Sequence, residues 1–95
     1  MNFNPAERIR FLLNERSMSV AELARRSGLN PDALRRSLKK EAAIRMGTIQ
    51  KICSGYGIPF WLFFADEEIV RNLAKRFTPE ELDEITDILG EILKA

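Results

Sequence analysis

The chain has 95 residues, 45% of them apolar, with a net charge of +1, a single cysteine and no histidine. That is one ordinary domain's length with enough apolar content for a core, and no run approaches the roughly 20 apolar residues of a membrane span. Without histidine the Ser-His-Asp triad, the Cys-His dyad and the ordinary zinc sites are out of reach, so neither an enzyme nor a metal or other cofactor is expected.

The first element, in "FNPAERIRFLLNE", has Asn4 as a capping residue, Pro5 where no amide is needed and Glu7 three positions after the cap. A helix from Pro5 to about Glu15 follows. The same amino-terminal segment carries charge where a secretory signal needs an apolar stretch, so the chain is expected to stay in the cytoplasm. In "MSVAEL", Ser19 and Glu22 repeat the box and start a second helix at Val20. Gly28 suits the left-handed residue that ends it, and Asn30-Pro31 opens a third after a short turn. Two short helices joined this tightly cross steeply, which is the helix-turn-helix arrangement.

On the third helix Leu34 and Leu38 share an inward direction, Asp32, Arg36 and Lys39 point away, and Arg35 lies on the flank. A fourth helix is expected through Met46, Ile49, Ile52 and Tyr56, closed by Gly57, and a short apolar fifth starts near Pro59 in "IPFWLFF". Cys53 falls within "TIQKICSGYGI" and is expected to be a small buried hydrophobe. A lone cysteine suits a reducing compartment.

"DEEIVRNLAKR", residues 66–76, has acids early and bases late, as a helix dipole prefers, with Ile69, Val70, Leu73 and Ala74 at helical spacing. Thr78, Pro79 and Glu81 then open a last helix running to about Leu93. Along it Leu82, Ile85, Leu89 and Ile92 alternate in steps of three and four, with Ile88 and Leu93 alongside. That is a seam, expected to pair with a second copy of the chain, or else to fold back on its own domain.

Charge divides the chain as the helices do. Residues 1–64 carry eleven Lys/Arg against five Asp/Glu, leaving +6, and residues 65–95 carry four against nine, leaving −5. A basic front and an acidic tail point to a polyanion site on the first part, since favourable potential is a local property.

"ERIRFLLNERSMSVAELARRSGLNPDALRRSL" followed by "MGTIQKICSGYGIPFWLFF" resembles the lambda-repressor, Cro and Xre-type DNA-binding domain over residues 5–64. The resemblance implies a five-helix helix-turn-helix domain over residues 1–64 with its third helix in the DNA major groove; with the additional C-terminal helices that the spacing predicts in residues 65–95, the expected fold is all-α. Departures shift the expected contacts. Val20 stands where the family often has a phosphate-binding glutamine, leaving that contact to Ser19 and the helix amino terminus. Pro31 stands where the family often has a base-reading side chain, so readout moves along the helix. The loop "KKEAAI" lacks the family's usual glycine.

Arg36 is the first choice for a paired contact to guanine O6 and N7. Arg35 is expected to read a base or clamp phosphate, Asp32 to accept from cytosine N4, and Ala33 to touch a thymine methyl. Lys39, Lys40, Arg45 and Lys51 are expected on phosphates. The resulting expectation is a cytoplasmic, dimeric transcriptional regulator of bacterial or phage type, a repressor occupying a palindromic operator in double-stranded DNA. The alternative is an antitoxin-like or adaptor protein whose acidic C-terminal helices bind a protein partner.

Overall fold

Side chains that replace missing backbone partners set where the helices begin. In the computed structural model, which describes residues 3–40 and 43–94, Asn4 Oδ1 accepts from the Glu7 amide at 3.2 Å and opens α1, Pro5–Glu15. Ser19 Oγ accepts from the Glu22 amide at 3.0 Å and opens α2, Val20–Ser27. Asn30 Oδ1 accepts from the Ala33 amide at 3.0 Å and opens α3, Pro31–Lys40. Then come α4, Met46–Tyr56, the single turn α5, Phe60–Phe63, α6, Glu67–Arg76, and α7, Pro79–Lys94. No strand occurs among the described residues, so the fold is all-helical, with helices added beyond the helix-turn-helix.

Among the described residues, only the box at α7 closes in both directions. The Glu81 amide donates to Thr78 Oγ1 at 3.1 Å, and Glu81 Oε1 accepts from the Thr78 amide at 2.9 Å. The Glu22 carboxylate instead pairs with Arg26, one turn along α2, at 2.9 Å. Part of the expected loop "KKEAAI", Glu41 and Ala42, lies outside the described residues.

The chain forms two compact units, one ending at Tyr56 and the other starting at Gly57. In the first, α2 packs on both α3 and α4, and α1 packs on α3. Its core is Ile9, Leu12, Leu23, Ala24, Leu34, Leu38, Ile49, Ile52 and Tyr56. The α2–α4 crossing is close because Gly55 lacks a side chain: a Cβ there would lie 2.3 Å from Ser27 Oγ and 2.9 Å from the backbone around Ser27. Cys53 is buried, as its place one residue after Ile52 suggested, and burial pushes its thiol up to about 11, which keeps it protonated at neutral pH.

In the second unit α5 packs on α6. The Trp61 indole donates to Thr86 Oγ1 at 2.9 Å, tying α5 to α7, and the Thr86 hydroxyl donates onward to the Leu82 carbonyl at 2.9 Å. Phe63, Leu62, Val70 and Leu82 are fully buried. Among the described residues no helix is long and apolar enough to cross a membrane.

Candidate nucleic-acid interface

A reading helix must be held firmly from behind while its front stays open. Behind α3, Leu34 and Leu38 are buried, and the Arg10 guanidinium donates to the Leu38 carbonyl, supplying positive charge and a donor to the carboxyl end of the helix. Arg16 does the same for α4: it donates to the Tyr56 carbonyl and lies 3.8 Å from the centre of the Tyr56 ring. Tyr56 in turn donates its hydroxyl to the buried Leu12 carbonyl at 2.8 Å. Burial raises the Tyr56 phenol above its ordinary value, Arg16 working against that and Glu15 with it.

The turn ahead of α3 is fixed by backbone. Gly28 sits at φ 68°, its amide meeting the Ala24 and Arg25 carbonyls, and the Leu29 amide returns to the Ala24 carbonyl at 2.8 Å. This closes α2 with the left-handed residue that glycine adopts without steric cost. The preceding turn, between α1 and α2, has no glycine: Ser17 takes φ 49° there.

On the open side of α3, Asp32, Arg35, Arg36, Lys39 and Lys40 are all exposed, and Ala33 is half-buried. Arg35 Nη1 donates to Asp32 Oδ1 at 2.9 Å, so these two expected readers meet each other. Arg36 makes no ion pair among the described residues. Ser37 turns its hydroxyl back to the Ala33 carbonyl at 3.1 Å. A groove of about 130 Å³ beside it is lined by Leu29, Asn30, Ala33, Leu34, Ser37 and Thr48. It is smaller than the roughly 300 Å³ at which small-molecule sites begin.

The remaining expected contacts lie on other elements. Ser19, exposed, is occupied as the cap of α2. Arg45 and Lys51 are exposed on and beside α4, where the Arg45 carbonyl receives the Thr48 and Ile49 amides at 3.0 Å. Among the described residues no group of three His, Cys, Asp or Glu is placed to hold a metal ion.

Sequence reading missed the inward roles of several arginines. Arg8 is buried with its guanidinium 5.1 Å from the Phe3 ring centre and 5.8 Å from that of Phe11. Arg10, Arg16, Arg26 and Arg35 are exposed, as are Arg25, Arg36, Lys39, Lys40, Arg45 and Lys51, but their guanidinium groups have partners within the chain. The arginine-to-carbonyl bonds join residues 28 and 40 positions apart, beyond any local pattern.

On the expected seam of α7, Leu82 is 1% exposed and Ile85 half-buried, so both are covered within the chain. Ile88, Leu89, Ile92 and Leu93 are exposed.

Residues 8–60, more than half of the chain, match the Cro/C1-type HTH DNA-binding domain. No curated protein and no solved structure matches the chain.

Proposed function

The chain belongs to the Cro/C1-type helix-turn-helix DNA-binding family, a family of DNA-binding regulators, and from that premise we propose that it is a sequence-specific repressor acting as a dimer on a palindromic operator. The observation that carries the proposal is the exposed α3 face, where Arg36 stands between two buried leucines of the same helix and makes no ion pair among the described residues. An arginine so placed offers two parallel donors to guanine O6 and N7 in the major groove. Ala33, half-buried beside it, offers a methyl to thymine. Ser19 with the amino terminus of α2, and Lys39, Lys40, Arg45 and Lys51, hold phosphates, contributing affinity and register rather than sequence choice. The chemistry asked of the protein is binding alone, with no catalytic step and no cofactor, in the compartment that holds the DNA.

Dimerisation rests on α7. Ile88, Leu89, Ile92 and Leu93 present apolar surface to solvent, and each such side chain contributes about 1.5 to 3 kcal/mol when fully buried. Leu82 and Ile85 anchor the helix within its own unit, leaving its carboxyl-terminal half to meet a second copy. Two reading heads about 34 Å apart then engage successive major-groove faces on one side of the duplex.

The test is selection of binding sites from random duplex DNA. The proposal expects a palindrome whose half-sites are one helical turn apart. A non-palindromic site would remove the dimer from the account, and recovery of no enriched sequence would remove specific recognition.

A further inference from the structure

The acidic residue on the basic face of α3 calls for an explanation. Asp32 is exposed, lies in the first turn of the helix that carries the expected readers, and would bring a negative charge towards a polyanion. From its position both Arg35 and Arg36 are within helical reach, three and four residues on. Its carboxylate is bonded to Arg35, Nη1 to Oδ1 at 2.9 Å. The side chains are 77% and 53% exposed, and an ion pair so wet contributes little to folding.

Resting on the DNA-binding reading above, we propose that Asp32 is a positioning residue: its carboxylate holds the Arg35 guanidinium as a prearranged fork for guanine, and itself touches no base. The chemistry follows from the donor count. A guanidinium has five N–H groups, and one nitrogen committed to Asp32 leaves the others for the paired acceptors O6 and N7. Arginine otherwise has a long, mobile side chain whose freedom is lost on binding, so a side chain already held loses less. Pairing also neutralises Asp32 before it nears the phosphates, and the pair strengthens as the groove excludes water. Arg36, which has no such partner among the described residues, reads a separate base pair.

The experiment combines Asp32→Ala, Arg35→Ala and the double variant on the full chain, each titrated against the selected operator and against operators changed at single base pairs. Circular dichroism and thermal melting accompany each titration. Arg35→Ala is expected to lose roughly 10- to 100-fold on the operator and to relax preference at one base pair in each half-site. Asp32→Ala is expected to lose several-fold and to relax that same base pair. The double variant is expected to bind no more weakly than Arg35→Ala, because the carboxylate has nothing left to position.

Losses that multiply in the double variant, with relaxation at a second base pair, would overturn the proposal in favour of direct reading by Asp32. Uniformly tighter binding of Asp32→Ala to every duplex would reduce the carboxylate to simple repulsion. A lower melting temperature with unchanged base preference would make it only a helix-start charge. Each of these sinks the positioning role while leaving DNA binding intact. A wild-type chain that selects no site would instead remove the underlying reading.

Discussion

The two units differ in what they leave on the surface. Up to Tyr56 the large apolar side chains are buried or half-buried, Phe3 and Met46 being the exposed ones among the described residues, and what remains outside is mainly charged or polar. From Gly57 onward the exposed set includes Phe60, Phe64, Ile69, Ile88, Leu89, Ile92 and Leu93. The first unit uses Arg10 and Arg16 on its own helix ends and leaves Arg36, Lys39 and Lys40 exposed on α3. The second holds α7 by Leu82, Ile85 and the Trp61–Thr86 hydrogen bond, and leaves Ile88, Leu89, Ile92 and Leu93 exposed. A surface of exposed cations suits a polyanion, whereas a stripe of exposed isoleucine and leucine suits another apolar surface.

Breaking the buried side of this comparison should have the largest effect. Leu23, 0% exposed on the helix that packs against both α3 and α4, should cost about 2 to 5 kcal/mol when replaced by Ala. Leu93→Ala, at a site 85% exposed, should change the stability of the isolated chain by less than about 0.5 kcal/mol. Chemical denaturation at a protein concentration too low for association measures both, and equal costs would erase the distinction.

A charge on the exposed seam sharpens the comparison from the other side. Ile92→Glu should convert the proposed dimer into a monomer, with the melting temperature of the isolated chain little changed because Ile92 is 62% exposed. Analytical ultracentrifugation should give a single species of about the chain mass, 10.9 kDa. A persistent dimer would move the interface off α7.

The buried thiol provides a smaller, pH-dependent effect. Burial raises Cys53 from 9.0 to about 11, so folding favours the protonated form. Its stability contribution is fully present below pH 9 and is lost as pH rises through 11. Urea unfolding of wild type and Cys53→Ala across that window should show the wild type losing more, with Tyr56, also raised by burial, contributing alike to both. Parallel curves would mean that Cys53 does not titrate as a buried group.

The helix starts were legible because the chain repeats one local device. Asn4, Ser19, Asn30 and Thr78 are each three residues before the amide they cap, and a distance of three is visible in sequence. Gly28 was legible for the same reason, since its left-handed conformation restricts the choice of residue. Ser17 was not, because it takes positive φ without the glycine that marks such a turn. Nor were Arg10 and Arg16, whose partners are set by packing, so that their charge counted towards a DNA-facing surface when it serves helix ends. Spacing placed Leu82 and Ile92 on one stripe of α7, but only the fold separates the covered part from the open part.

Smaller again is the expected effect of one phosphate contact. Lys39→Ala should weaken all duplexes alike and reduce the steepness of binding against salt by about 1 in the logarithmic slope. A loss confined to one base position would make Lys39 a reader.

The central claim, that the exposed face of α3 reads sequence, is tested most directly by titrating Arg36→Ala against the selected operator and a scrambled duplex at one fixed salt concentration. Leu34 and Leu38 carry the burial of the helix and alanine is a better helix former than arginine, so the fold should survive. Binding to the operator should fall by about 1 to 3 kcal/mol and preference should relax at one base pair in each half-site, while binding to the scrambled duplex should fall much less. Equal losses on both duplexes would make Arg36 a phosphate contact, and no loss on either would contradict the claim that this face of α3 reads DNA.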